Sequence, residues 1–222
     1  MVCDVHCHCF SSRFLEILSQ DLPDLPSTAR ALAVATKLGW DAPGSVESLA
    51  DRWVAEFDRH GLARAVLIAS ISGDEESVAT AVRRHPSRFV GSFMFNPTAA
   101  DAPARLNRAL GELGLRVVAL FPAMHKYRLD DDRVQGVFTA AAAHRAAVFV
   151  HCGVLTVGVR KKLGLPSPFD LRLGDPLAVA AVALQHPRVP VIIPHFGAGF
   201  FREALMAADQ CGTIHLDTSS SN

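Results

Sequence analysis

The chain has 222 residues, half of them hydrophobic and a fifth charged, as in a globular protein with a sizeable core. Its 22 Lys and Arg balance its 22 Asp and Glu, so no net charge points to nucleic acid or a membrane surface as a partner. No membrane-length apolar run or secretory signal is visible, and five unevenly spaced cysteines form no disulfide framework, so we expect a cytoplasmic protein.

Short apolar runs alternate with Ala-rich amphipathic stretches along the whole chain. Because the runs are apolar almost throughout, they are typical of parallel strands that are covered on both faces. Alternation with helices indicates βαβ units. The predicted strands are 3–8, 64–70, 88–95, 115–121, 147–153, 189–196 and 213–219.

Two architectures fit this alternation, a closed barrel and an open doubly wound sheet. No Gly-rich phosphate loop follows the first strand, which argues against the open nucleotide-binding sheet. A (β/α)8 barrel uses roughly 31 residues per unit, so this chain accounts for about seven units. We therefore predict one α/β domain over residues 1–222, a TIM-type (β/α)8 barrel truncated after strand seven with its eighth βα unit missing.

The first strand lies in the stretch MVCDVHCHCF, which contains histidines and cysteines in alternation. Side chains alternate faces along a strand, so Asp4, His6 and His8 are predicted to share one face and the cysteines the other. A structural Cys/His zinc knuckle would need a second pair such as CxxC, which the sequence lacks. We interpret the cysteines as small buried hydrophobic residues and the histidines as candidate metal ligands.

Two further histidines follow strands in the same way. His151 ends the fifth strand in AVFVHCG, and His195 ends the sixth in VIIPHFGAG. Catalytic groups of a barrel lie at the carboxyl ends of its strands, and catalytic zinc takes three protein ligands. The four histidines therefore predict a metal site. His125, just after the fourth strand, is a weaker candidate for a substrate contact.

These motifs together resemble the amidohydrolase superfamily, and within it the amidohydrolase-related branch that includes aminocarboxymuconate-semialdehyde decarboxylase. The resemblance extends over the whole chain: DVHCH at the start, HCG after strand five, HFG after strand six and LDTSSSN after strand seven. The first motif alone is less specific, because TatD-type and polymerase-histidinol-phosphatase (PHP) phosphoesterases begin similarly.

The resemblance implies that His6, His8 and His151 are metal ligands and that His195 is a catalytic acid, base or electrostatic stabiliser. The family's last ligand, an aspartate closing strand eight, has no counterpart here; Asp217 matches strand seven and is instead a candidate substrate contact. No lysine lies on the fourth strand to bridge two ions, so we expect one divalent ion, Zn²⁺.

The expected function is hydrolysis of a small carbonyl or carboxylate substrate by a metal-activated water. The same site can serve non-oxidative decarboxylation, for which Arg160 is a candidate partner of a substrate carboxylate. The sequence is also compatible with an inactive truncated barrel and with a TatD- or PHP-like phosphoesterase. A seven-stranded barrel has two open strand edges, so we expect either aggregation or a homodimer; we expect no nucleic-acid or membrane partner.

Overall fold

The computed structural model describes residues 2–22 and 29–219. All seven predicted strands are present, in the predicted order. They are β1 (Val2–Cys9), β2 (Leu62–Ala69), β3 (Phe89–Phe95), β4 (Val117–Leu120), β5 (Ala147–Val150), β6 (Val191–Ile193) and β7 (Ile214–Leu216).

Helices alternate with these strands, as the amphipathic stretches predict. In chain order the α-helices of the described residues are α1 (Ser12–Leu18), α2 (Arg30–Leu38), α3 (Val46–His60), α4 (Glu75–Arg84), α5 (Ala102–Asn107), α6 (Pro122–His125), α7 (Asp132–His144), α8 (Gly158–Lys162), α9 (Pro176–Ala183) and α10 (Phe201–Gln210). A π-helical turn, Arg108–Glu112, continues α5.

The chain divides into two compact units. The first comprises Met1–Phe93 and Val157–Pro166, and the second comprises Met94–Thr156 and Ser167–Asn222. Strand β3 crosses the boundary near its end. A single domain over the whole chain stays a prediction.

In the first unit, β1 pairs in parallel with β2 and β2 with β3. The β1–β2 register shifts between Asp4 and Cys7, and beyond that point His8 lies opposite Ile68. Helices α1 and α2 pack their apolar residues into a shared core, which includes Leu15 and Val34. Helix α3 begins after Ser45, whose hydroxyl accepts a hydrogen bond from the Ser48 amide.

The second unit contains four parallel strands paired in the order β4, β5, β6 and β7. Its largest fully buried side chains include Phe138 on α7 and Phe149 on β5. Because parallel strands begin and end together, the segments that follow β5 and β6 emerge at the same edge of this sheet. His151 and His195 lie in those segments.

Two helices lack the usual cap at one end. Asp74 directly precedes α4, but its carboxylate makes no capping bond; it accepts hydrogen bonds from the Ser11 hydroxyl instead, at 2.7 and 2.8 Å. Helix α10 ends through the extended residue Cys211, and the Gly212 that follows is not in a left-handed conformation. Gly61 does end α3 with φ of 68°.

All five cysteines are free thiols, which fits the expectation of no disulfide framework. Within residues 2–22 and 29–219, no helix has the length and apolar character needed to cross a membrane.

Candidate metal centre

His6 and His8 lie side by side on β1, as the alternation of the strand predicts. Their Nε2 atoms are 3.2 Å apart and their ring centroids 5.0 Å apart. Two nitrogens that bind one tetrahedral zinc at 2.0–2.1 Å are separated by about 3.3 Å. The observed spacing therefore fits two imidazoles that share one ion.

Ser70, directly after β2, fixes which ring nitrogen of His8 carries the proton. Nδ1 of His8 lies 2.7 Å from the Ser70 hydroxyl, and this hydroxyl donates its one proton to the Ile68 carbonyl at 3.1 Å. Ser70 must then accept from Nδ1–H, which makes Nε2 of His8 the nitrogen that presents a lone pair. Metal-binding histidines are held in this way, with the distal nitrogen donating to an oxygen.

The nearby cysteines are poor competitors for an ion. Cys7 and Cys9 are 6% and 1% exposed. Burial raises the pKa of the Cys7 thiol far above its usual range, with the charge of Asp4 adding to the effect. Burial also raises the pKa of Cys9 to about 12. This burial fits the role of small hydrophobic side chains packed in the core.

A groove of about 540 Å³ runs along β1 and α3 within the first unit, and His6 and His8 contribute to its lining. This volume lies in the range of small-molecule sites. Phe10 borders the same groove and stacks parallel to the His8 ring, with centroids 5.7 Å apart and an interplanar angle of 2°. The imidazole pair thus opens into a partly aromatic space.

His151 lies directly after β5 in the second unit and is only 5% exposed. Its backbone amide donates to the Leu120 carbonyl at 2.9 Å, which continues the β4–β5 ladder through this residue. Its ring stacks on Phe121 at 5.6 Å and meets the ring of His195 edge-on, with centroids 5.3 Å apart. The second unit therefore brings its two predicted site histidines together.

His195 follows β6 in a left-handed turn that Asp217 supports. The Asp217 carboxylate, 6% exposed, accepts hydrogen bonds from the His195 amide at 3.1 Å and from the Ser219 amide at 2.9 Å. Nδ1 of His195 lies 2.6 Å from the Ser219 carbonyl. A carbonyl only accepts, so Nδ1 carries the proton and Nε2 is the basic nitrogen. Asp217 contacts the backbone of His195 and so positions its ring indirectly.

A glycine after each of these histidines allows their loops to meet. Gly153 has φ of 68°, and a Cβ added there would lie 2.1 Å from the Gly197 carbonyl oxygen. The Val154 amide donates to the Ala198 carbonyl at 2.8 Å across the same contact. His195, Phe196 and Ala198 all have positive φ, a conformation that costs a non-glycine residue of order 1 kcal/mol or more. Such strain is frequent at functional sites.

The remaining predicted residues lie elsewhere in their units. His125 ends α6, with its ring 6.3 Å from that of Phe121; burial, and then the charge of Arg105, lower its pKa to about 4. Arg160 on α8 binds Asp21 at 2.5 Å and the Pro166 carbonyl at 2.9 Å. Its guanidinium is therefore already engaged in the first unit. The roles of both residues toward a substrate stay predictions.

Comparison with known proteins identifies the family. A family model described as amidohydrolase matches residues 3–221. The chain belongs to the amidohydrolase family. The resemblance inferred from the ordered histidine motifs is thereby confirmed. No curated protein sequence matches this amidohydrolase.

Solved structures share the fold at low identity. An uncharacterised TIM-barrel protein from Bordetella bronchiseptica has a TM-score of 0.64 and 18% identity, over 98% of this chain and 74% of its own. The 5-carboxyvanillate decarboxylase of Sphingomonas paucimobilis has a TM-score of 0.60 and 16% identity, over 99% of this chain and 81% of its own. The 5-carboxyvanillate decarboxylase of Novosphingobium aromaticivorans, solved with manganese, has a TM-score of 0.58 and 15% identity, over 94% of this chain and 68% of its own. The fold is of the TIM-barrel class, as predicted, with seven parallel strands here.

Proposed function

We propose that this amidohydrolase is a metal-dependent hydrolase that acts on a small carbonyl or carboxylate substrate through a metal-activated water. His6, His8 and His151 are the residues that would hold one divalent ion. The observation that carries the proposal is the 3.2 Å separation of the His6 and His8 Nε2 atoms, with the His8 tautomer set by Ser70. Family membership, and the pairing of His151 with His195 in the second unit, support it.

The donor set favours an ion that accepts imidazole nitrogen. Neutral imidazoles suit zinc, and we propose Zn²⁺ as the resident ion; manganese, present in one structural neighbour, is the competitor. A bound divalent ion supplies a coordinated water whose pKa falls from about 15.7 toward about 7.

The protein's own groups account for orientation and proton handling. Ser70 binds Nδ1 of the His8 ring, so Nε2 is the nitrogen that would bind an ion. The Ser219 carbonyl holds the proton on Nδ1 of His195, so its Nε2 can take a proton from water or substrate. Asp217 fixes the turn that carries His195. Phe10 stacks parallel to the His8 ring and lines the same groove.

Non-oxidative decarboxylation is the second candidate, because two structural neighbours are 5-carboxyvanillate decarboxylases. The two reactions leave different products from a carboxylated substrate. A decarboxylase releases CO₂ and consumes no water, whereas a hydrolase incorporates one oxygen of labelled water into its product. Mass spectrometry of products formed in ¹⁸O-water from a panel of aromatic and unsaturated acids, esters and lactones distinguishes them.

Metal analysis tests the ligand set. We expect about one equivalent of zinc in the purified wild-type protein and almost none in His6→Ala or His151→Ala, because loss of one of three ligands removes tight binding. His60→Ala is the matched control, since His60 is an exposed imidazole at the end of α3. It should retain the ion. Cys7→Ser should retain it as well.

Each outcome has a distinct meaning. Stoichiometric metal in both His6→Ala and His151→Ala would refute the shared ligand set. Two or more ions per wild-type chain would favour a phosphoesterase of the TatD or PHP type. A full complement of metal with no turnover on any substrate of the panel would favour the inactive barrel. A cytoplasmic location agrees with free thiols and stays part of the proposal.

A further inference from the structure

Helices α9 and α10 of the second unit expose most of the large apolar surface found in the described residues. Nine large hydrophobic side chains are exposed in that part of the chain, and five of them lie on or directly after these two helices. The five are Leu177, Leu184, Phe201, Leu205 and Met206. The two helices pack against each other. Concentration of apolar side chains on one helix pair is typical of an interaction surface, whereas single exposed residues need no explanation.

The outer face of α9 has no polar side chains. Its exposed positions are Leu177, Ala178 and Ala181, with Leu184 following the helix. A helix that is apolar on every side is normally buried on every side. This composition therefore predicts that the outer face of α9 lies at the edge of a protein–protein contact.

The outer face of α10 combines apolar side chains with one charge of each sign. Arg202 and Asp209 are both exposed, and neither forms an ion pair with any of the residues the structure describes. They are seven residues apart, almost two turns at roughly 3.6 residues per turn, so they lie on the same line along the helix. Leu205 and Met206, 44% and 54% exposed, lie between them.

Both charges are placed where the helix itself disfavours them. The positive end of the helix dipole is at the N-terminus, close to Arg202, and the negative end is at the C-terminus, close to Asp209. Each placement costs of order 0.3–1 kcal/mol in an isolated helix. A second helix that runs in the opposite direction brings an opposite charge to both ends and reverses this effect.

We propose that α10 is the centre of a homodimer interface, in which two copies of the helix pair antiparallel about a two-fold axis that passes between Leu205 and Met206. In such a contact, a residue i that meets residue j of the second copy is matched by residue j meeting residue i of the second copy. Arg202 faces Asp209 of the second copy, and Leu205 faces Met206 of the second copy. The apolar stripe of α9 extends the contact on each side. The surface is thus complementary to itself in both charge and hydrophobicity.

Charge reversal tests the pairing. Arg202→Asp places two like-charged pairs across the axis, and Asp209→Arg does the same with the opposite sign. Like charges in an interface cost several kcal/mol, so each variant should dimerise at least about tenfold more weakly. Neither change should destabilise the monomer, because both bring charges that the helix dipole favours. Sedimentation velocity over a range of concentrations measures dimerisation, and thermal melting checks the fold.

Mixing the two variants gives the decisive result. An Arg202→Asp chain and an Asp209→Arg chain are complementary to each other, so an equimolar mixture should form heterodimers about as strongly as the wild type forms homodimers. Arg59→Asp on α3, an exposed charge outside α9 and α10, is the matched control and should leave dimerisation unchanged. A wild type that stays monomeric at all concentrations would overturn the proposal. So would single variants that dimerise normally, or a mixture that stays monomeric.

Discussion

The hydroxyl of Ser70 accepts the Nδ1 proton of His8, so Nε2 is the nitrogen that would bind the proposed ion. Ser70→Ala removes the acceptor of the Nδ1 proton, so the ring can rotate or change tautomer. Loss of such an outer partner typically costs 10–100-fold in metal affinity. We expect a loss of about this size for Ser70→Ala, measured by competition with a zinc chelator, while the chain stays folded.

The matched control is Ser48→Ala, which removes an exposed hydroxyl that donates to the Ser45 carbonyl on α3. It should bind zinc like the wild type. Wild-type affinity in Ser70→Ala would show that the tautomer of His8 does not depend on this hydroxyl.

Residues whose position depends only on strand periodicity were predictable. The spacing of His6 and His8 places them on one face of β1, and their observed proximity follows from it. Ser70 was not predicted, because its contact with His8 depends on how β1 and β2 are aligned, and a register shift after Asp4 sets this alignment. No sequence motif predicts this alignment of the two strands. The turn at His195 was missed for the same reason, since Asp217 and Ser219 stabilise it from the end of β7.

At the scale of elements, Asp74 links the start of α4 to the start of α1. Its carboxylate is fully buried and binds the Ser11 hydroxyl, and Ser11 in turn accepts a hydrogen bond from the Phe14 amide. Burial raises the pKa of Asp74 from 3.8 to about 6; hydrogen bonds from Ser77 and Ser11 oppose this shift, and the charge of Glu75 adds to it. The contact between the two helix starts is therefore sensitive to pH.

The sign of the effect follows from proton binding. Between pH 3.8 and about 6 the folded protein holds a proton on Asp74 and the unfolded chain does not, so the free energy of unfolding falls as pH rises. Across this pH range, the titration of Asp74 lowers the free energy of unfolding by about 3 kcal/mol in total. Asp74→Asn accepts the same hydrogen bond without ionising, so its free energy of unfolding should lack this decrease.

Urea unfolding at several pH values across this window measures the difference between wild type and variant. Comparing the two cancels the titration of the other carboxylates. Asp41→Asn changes an exposed carboxylate and should reproduce the wild-type profile. If Asp74→Asn and the wild type follow parallel profiles, the buried carboxylate does not titrate in this range.

Elements were predicted better than their ends. Each of the seven strands was identified, because a run of apolar residues between polar stretches is a property of the local sequence. Helix ends depend on which partner is near. Asp74 directly precedes α4, but its carboxylate binds the buried Ser11 hydroxyl and does not cap the helix, and α10 ends at Cys211 without a left-handed glycine.

At the scale of the whole molecule, the sequence predicts one domain, and the chain contacts form two compact units. Periodicity does not distinguish these cases, because a parallel sheet has the same sequence pattern whether its strands unfold together or in two groups. Whether the chain forms one domain or two matters for function, because the proposed metal ligands are divided between the units. His6 and His8 belong to the first unit and His151 to the second.

The distribution of tryptophan allows cooperativity to be measured directly. The chain has two tryptophans, Trp40 and Trp53, and both lie in the first unit. Tryptophan fluorescence therefore reports the first unit, while far-UV circular dichroism reports the helices of both. If the chain is a single cooperative domain, urea unfolding followed by the two signals should give coincident transitions. A second, separate transition visible only by circular dichroism would show that the second unit unfolds independently.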